Sequence, residues 1–437
     1  MNELESRTGN YRYRILALVF MATTINYFDR SIIGVMAPTL QRIFDWSNKD
    51  YAAIMISFKI AYGIGLLFMG GIIDRLGTKI GYTLSIALWS LFGMLHAAVR
   101  PAFSLLGFMV ARFGLGLGES GNFPAAIKTV AEWFPKRERA FATGIFDAST
   151  SVGAILAPFV VGAIVTVEGD NWQIPFLFTG LLSALWVFLW WRTYERPEEH
   201  PGLSAKELAY INSDSEEENK ERIAWSRLLP KRETWAFALT TLTDGVWWFY
   251  LFWGAKFLFE QFSVDINNIG LPFLVIFIMA DAGSLLGGLA SGALIKKGWS
   301  INKARKITLL VNAVIILPVA LVPVVAGKWL AVFLIGVGAM GHQSWSINSY
   351  TLVPDVFPKK ATASVIGIGK MVGVAVAIAA DFALGAVLDT ADNSGYFWAF
   401  IIAGFSYICI LGFVHLLMPR MIPLDDNLKP VIRTPGK

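Results

Sequence analysis

Glu132-Trp133-Phe134-Pro135-Lys136-Arg137 returns 223 positions later as Asp355-Val356-Phe357-Pro358-Lys359-Lys360. The register then holds without a gap through Ala140/Ala363, Gly144/Gly367, Ile145/Ile368, Ala154/Ala377, Ile155/Ile378, Phe159/Phe382 and Gly162/Gly385. A chain that repeats itself in this way and is this apolar reads as two equivalent helical bundles about a shared axis.

The surrounding composition fits that reading. Of 437 residues, 55% are hydrophobic and 16% charged, with a mean hydropathy of +0.55. Soluble domains carry about 25% charge. Apolar runs come near the length an α-helix needs to cross a bilayer. Twelve spans are expected, near 14–38, 51–73, 79–98, 102–126, 138–166, 172–192, 234–259, 269–295, 304–326, 329–352, 362–389 and 395–418. The expected fold is thus an all-α membrane protein of twelve transmembrane helices. Residues 1–192 would form one six-helix bundle, 193–233 a cytoplasmic linker, and 234–437 the second bundle and tail.

Lys and Arg set the orientation. Arg42, Lys49, Arg100 and Lys328 fall in one set of loops, and Arg30, Lys59, Arg112, Lys256 and Lys370 fall inside spans. The remaining 28 of 37 lie on the side of the N-terminus, so both termini are expected in the cytoplasm. The net charge of +5 reflects this bias and calls for no nucleic-acid partner. The first span holds Asp29 and Arg30 with no small-residue cleavage site after it, so it reads as a retained helix. A single cysteine, Cys409, leaves no disulfide within the chain.

In the linker, Ser204-Ala205-Lys206-Glu207 has the form of a capping box that starts a short surface helix. The run Glu216-Glu217-Glu218 reads as a solvated face. A second repeated element follows spans two and eight: Gly70-Gly71-Ile72-Ile73-Asp74-Arg75-Leu76-Gly77-Thr78-Lys79, and Gly292-Ala293-Leu294-Ile295-Lys296-Lys297-Gly298. In the first copy Asp74, Arg75, Gly77 and Lys79 can bridge neighbouring helices, cap their ends and latch the two bundles in one of two states. The second copy, without the acid, suits a basic tight turn.

The element after span two resembles the signature of the major facilitator superfamily. Further stretches resemble that family's anion:cation symporter branch, which includes hexuronate and galactonate transporters and sialin-type carriers. They are Tyr27-Phe28-Asp29-Arg30, Arg112 with Glu119, Glu132-Trp133-Phe134-Pro135, and Pro197-Glu198-Glu199-His200-Pro201. Trp247-Trp248-Phe249-Tyr250-Leu251-Phe252-Trp253 and Gly341-His342-Gln343 are most similar to hexuronate carriers. The resemblance implies alternating access. It makes Asp29 and Glu119 the proton-coupling acids, and Arg30 and Arg112 the groups that hold a substrate carboxylate. It also places Tyr62 in the pocket.

Charge inside a span costs a few kcal/mol or more and marks function by default. In their cores, spans 3, 6, 9 and 12 carry no Asp, Glu, Lys or Arg, as expected of lipid-facing helices. The others hold Asp29, Arg30, Lys59, Arg112, Glu119, Asp147, Asp244, Lys256, Asp281, Lys370 and Asp381, and span 10 adds His342. Asp147 and Lys370 are repeat partners, each roughly 14 Å from the cytoplasmic edge at 1.5 Å per residue. Two readings stand for them: a structural ion pair, or groups that bind opposite ends of a polar substrate. Glu119 and His342 are also repeat partners, and Arg112 and Glu119 share a helix face. Trp248 and Tyr250 could stack on a sugar ring or belong to an interfacial belt. Asp244 and Lys256 lie near the ends of span 7. Gly254-Ala255 leaves the bend of that span open, because no proline stands there.

Gly116-Leu117-Gly118-Glu119-Ser120-Gly121 matches a dinucleotide fingerprint, but it lacks a preceding strand and reads as helix packing. The expectation is a secondary transporter that symports a small organic anion, such as a sugar acid, with protons. It needs no cofactor, no metal and no enzymatic activity, and it acts as a monomer in a bacterial inner membrane. The alternatives are an efflux antiporter or uniporter of the same fold, and a non-transporting receptor.

Overall fold

The computed structural model describes residues 9–214, 223–390 and 394–431; the acidic run at 216–218 lies outside them. Contacts group the chain into two units, Met1–Glu218 with Val264–Gly270, and Asn219–Ser263 with Leu271–Lys437.

The first unit holds α1 (Tyr11–Phe44), α2 (Asn48–Leu76), α3 (Thr78–Leu95), α4 (Ser104–Glu119), α5 (Asn122–Trp133), α6 (Lys136–Ile164), α7 (Ile174–Thr193) and the linker helix α8 (Ala205–Ile211). The second holds α9 (Trp225–Leu228), α10 (Arg232–Thr240), α11 (Asp244–Phe262), α12 (Gly270–Lys296), α13 (Ile301–Ile316), α14 (Lys328–Val356), α15 (Lys359–Thr390) and α16 (Ser394–Leu417). Among the described residues there is no strand, and one isolated bridge joins Leu424 and Pro430.

Ten helical segments in the described residues are long and apolar enough to cross a membrane. The other two expected spans fall short for different reasons. The first lies within α1, one continuous 34-residue helix diluted by Asn26, Asp29 and Arg30. The seventh is broken by a 3-10 turn at Thr241–Thr243. There the threonine hydroxyls donate back to carbonyls three residues earlier, Thr240 to Phe237 (2.7 Å) and Thr243 to Thr240 (2.9 Å), while Thr241 shares its one proton between the carbonyls of Ala238 (2.7 Å) and Gly369 on α15 (2.6 Å). Such back-bonding competes with the helical ladder. The break therefore sits at the threonines, and α11 runs unbroken through Gly254-Ala255.

The fourth span is also interrupted, at Ser120–Gly121 between α4 and α5. The Ser85 hydroxyl on α3 donates to the Gly118 carbonyl (2.6 Å), and that of Ser120 donates to Leu117 (2.7 Å). The glycine pattern here serves packing. A Cβ at Gly116 would run into the Phe58 carbonyl on α2, and one at Gly118 into the Trp89 backbone on α3. Without these glycines neither neighbour could approach so closely.

Capping went differently from expectation. Ser204 accepts from the Glu207 amide (3.2 Å), which is half of the expected box. The Glu207 carboxylate instead accepts from the Arg12 amide (3.2 Å) and guanidinium (3.4 Å), and Arg12 also pairs with Glu138 (3.0 Å). A buried arginine outcompetes one amide for a carboxylate. Tyr210 donates to Glu138 (2.6 Å). Burial, and then that carboxylate, push the Tyr210 phenol up. Together these contacts seat α8 on the first unit. A complete box forms at Ser47 and Asp50 before α2, where no arginine intervenes; such a cap contributes about 1 kcal/mol.

Large apolar side chains are exposed in ridges at helical spacing: Leu177, Leu181, Leu185 and Phe188 on α7, and Ile402, Phe405, Phe413 and Leu416 on α16. In a water-soluble protein such ridges would be covered; in a membrane they face lipid. They are not confined to the charge-free spans. On α2, Ile60, Ile64 and Phe68 are exposed while Lys59 is buried, so one helix carries a lipid face and a polar face.

Candidate functional site

In the first unit, Arg30 from α1 meets Glu119 at the end of α4. Its Nε and Nη2 both lie 2.8 Å from Glu119 Oε2. Both donors therefore go to one oxygen, and Oε1 is buried without a hydrogen-bond partner. Asn26, one turn earlier on α1, accepts from Arg30 Nη2 (3.4 Å). Aromatic rings surround the guanidinium: Tyr27 at 4.6 Å, Tyr62 at 4.9 Å and Phe58 at 5.4 Å. Tyr62 stacks on Phe58 (5.8 Å, 17°). These π faces attract the cation and exclude water.

Asp29 and Arg30 are neighbours in sequence but about 100° apart around the helix. Asp29 turns toward α3, where a Cβ on Gly93 would lie 3.8 Å from its Oδ1. Its Oδ2 is buried and unpartnered. Arg112, on α4, shares a face with Glu119 but makes no hydrogen bond to it. All three guanidinium nitrogens are buried without a partner, and the side chain is 1% exposed. The Phe58 ring centroid lies 5.9 Å from the Arg112 guanidinium. Of these four ionisable groups only one pair is joined. An unpaired buried ion costs several kcal/mol, so the cluster is tolerated for something other than stability.

In the second unit, Lys370 on α15 donates to Asp244 Oδ2 (2.9 Å) at the start of α11, with the Tyr350 ring 5.1 Å from its ammonium. From the sequence, Asp244 is expected near an end of span 7. The helix break places it: Thr241 donates to the Gly369 carbonyl (2.6 Å), which ties the turn to α15 one residue before Lys370. The signal in the sequence was the polar run Thr240-Thr241-Leu242-Thr243-Asp244. His342 shares a hydrogen bond with the Tyr407 hydroxyl (2.7 Å) and stacks on Trp247 (5.6 Å, 9°). Tyr250 is buried with its hydroxyl unpartnered. Trp248, half-buried, lies against Phe252 (5.4 Å), and Gln343 is half-buried on α14. Asp381 accepts from Trp253 Nε1 (3.1 Å). Asp147 is exposed on α6 of the first unit. No metal-binding cluster of His, Cys, Asp or Glu occurs among the described residues.

Comparison with known proteins settles the family. The family model for the Major Facilitator Superfamily matches residues 19–381. This chain belongs to the major facilitator superfamily. As a superfamily member it is a multi-pass membrane transporter. It is 30% identical to the hexuronate transporter of Escherichia coli (strain K12), over 88% of this chain and 90% of that one. It is 33% identical to the galacturonate transporter of Dickeya chrysanthemi, over 70% of this chain and 89% of that one. The crystal structure of a bacterial homologue of the human lysosomal transporter Spinster, titled inward-facing and occupied, has the same fold. It aligns with a TM-score of 0.77 and 16% identity, covering 94% of this chain and 98% of that one.

The superfamily element after the second span is knit into the first unit. Gly77 joins α2 to α3 at φ 79° and ψ 161°, a backbone that favours glycine. Asp74 pairs with Lys128 (3.0 Å), which also caps the Ile73 carbonyl (3.1 Å). Thr78 donates to Glu132 (2.7 Å), Tyr194 donates to the other oxygen of Glu132, and Lys79 pairs with Glu195. Arg75 is exposed. In the second unit the counterpart of Glu132 is Asp355, which accepts from Arg305 (2.8 Å).

Proposed function

We propose that this transporter moves a sugar acid into the cell together with protons, by alternating access. The observation that carries the reading is the Arg30–Glu119 pair, in which two guanidinium donors share a single carboxylate oxygen. A free carboxylate would accept the same two donors on two oxygens, the stronger fork geometry. Protonation of Glu119 releases Arg30, and the substrate carboxylate takes its place, so one proton accompanies one anion. Asp29 supplies a second protonation site beside it. Arg112 holds the cluster's positive charge when the acids are neutral and gives an arriving anion a second guanidinium. The names of the two relatives support a hexuronate-like substrate.

In the same reading Tyr62, Trp248, Tyr250, His342, Gln343, Asp147 and Lys370 contact substrate, and Asp74, Arg75, Gly77 and Lys79 gate the halves. The basic loops favour cytoplasmic termini in a bacterial inner membrane, and the protein works as a monomer. The test is uptake of labelled galacturonate by proteoliposomes holding the purified protein. Accumulation driven by an inward proton gradient and collapsed by a protonophore is expected. Uptake indifferent to the gradient would refute proton coupling, and no uptake of any sugar acid would refute the substrate class.

A further inference from the structure

The second unit contains an acid–base pair for which the exchange of protons and a carboxylate at Arg30 has no use. Asp244 and Lys370 are held together by built features. The Thr241–Thr243 turn is fastened to α15 through Thr241 and the Gly369 carbonyl. At Gly373, one turn beyond, a Cβ would come within 2.8 Å of the Thr241 carbonyl and 3.2 Å of Asp244 Oδ2. Yet the pair is not sealed: the Lys370 side chain is 40% exposed and that of Asp244 15%. The Arg30–Glu119 pair, by contrast, is 3% and 0% exposed.

Its chemistry is that of a neutral two-sided reader. An ammonium donates up to three hydrogen bonds and a carboxylate accepts at about four positions. The bond between them, and a further one from Lys370 to Tyr350, still leave a donor on the ammonium and acceptor positions on the carboxylate of a partly exposed pair. A hydroxyl, which donates and accepts, complements such a pair. A second carboxylate does not, because it could reach Lys370 only by lying against Asp244, and like charges at that range repel. We propose that Asp244 and Lys370 read the hydroxyl chain of a sugar acid bearing one carboxylate and reject the matching dicarboxylate. This rests on the reading of the chain as a sugar-acid transporter and narrows its substrate class.

The experiment uses the full-length protein in proteoliposomes, with labelled galacturonate uptake competed by unlabelled galacturonate or galactarate, which carries a carboxylate at both ends. For the wild type, half-inhibition by galactarate should need at least ~10-fold more competitor than galacturonate. Asp244→Asn removes the repelling charge and keeps an acceptor oxygen, so that ratio should fall to about 1. Lys370→Gln should weaken inhibition by both without closing the gap. A merely structural role would lower uptake and leave the ratio alone. If Asp244→Asn takes up nothing, the ratio is read from thermal shifts of the purified variant with each compound. A wild type that accepts both equally, or a ratio unmoved in Asp244→Asn, overturns the proposal while leaving sugar-acid transport standing. A wild type that responds to neither compound overturns both.

Discussion

The two units each place an acid–base pair between helices distant in sequence, and the pairs differ in almost every physical respect. Arg30–Glu119 is sealed beneath Tyr27, Phe58 and Tyr62 and flanked by two unjoined charges, Asp29 and Arg112. Asp244–Lys370 is open on one side and carries an ammonium in place of a guanidinium. A sealed cluster with more charges than bonds is suited to exchanging partners, because each ion gains when a proton or an anion arrives. An open, balanced pair is suited to polar recognition without a change of charge. The two pairs differ because the polar side chains differ between the copies of the repeat.

Exchanging the two kinds of cation gives the largest effects. Arg30→Lys removes the fork and should lower kcat/KM for uptake about 100-fold, whereas Lys370→Arg should cost about 10-fold or less. Equal losses in the transport assay would erase the distinction. Arg112→Met removes a buried cation that makes no hydrogen bond. It should raise stability by about 1 kcal/mol in a thermal unfolding assay while cutting uptake roughly 10-fold. A destabilised variant would mean that Arg112 has a structural partner. Gly116→Ala puts a Cβ into the Phe58 carbonyl and should destabilise the first unit by about 1–3 kcal/mol. The smallest effect is expected away from both pairs. Glu207→Gln weakens the seat of α8, so limited proteolysis of the linker should speed up while uptake changes less than about twofold.

How far the sequence could be read follows the same physics. Hydropathy and the repeat located the helices, because burial in lipid is additive along the chain. The buried charges of the first unit were legible because each is costly in a span: Asp29, Arg30, Arg112 and Glu119 do gather there. Their pairing was not legible. Helix periodicity put Arg112 and Glu119 on one face, but the contact was made by Arg30 from another helix. The contact of Asp244 with Lys370 was not legible, because it depends on a helix break made by threonine hydroxyls and a carbonyl 128 residues away. The Ser204–Glu207 box failed for the same reason: a local rule gave way to Arg12, 195 residues distant.

The central claim is that Glu119 and a substrate carboxylate alternate on Arg30. It is tested most directly by recording internal pH in proteoliposomes when galacturonate is added outside, for the wild type and for Glu119→Gln. The wild type should acidify inside as substrate enters. Glu119→Gln should still exchange labelled for unlabelled galacturonate, at a reduced rate, with less acidification per substrate than the wild type. Acidification at the wild-type proton-to-substrate ratio in Glu119→Gln, or none in the wild type, would contradict it.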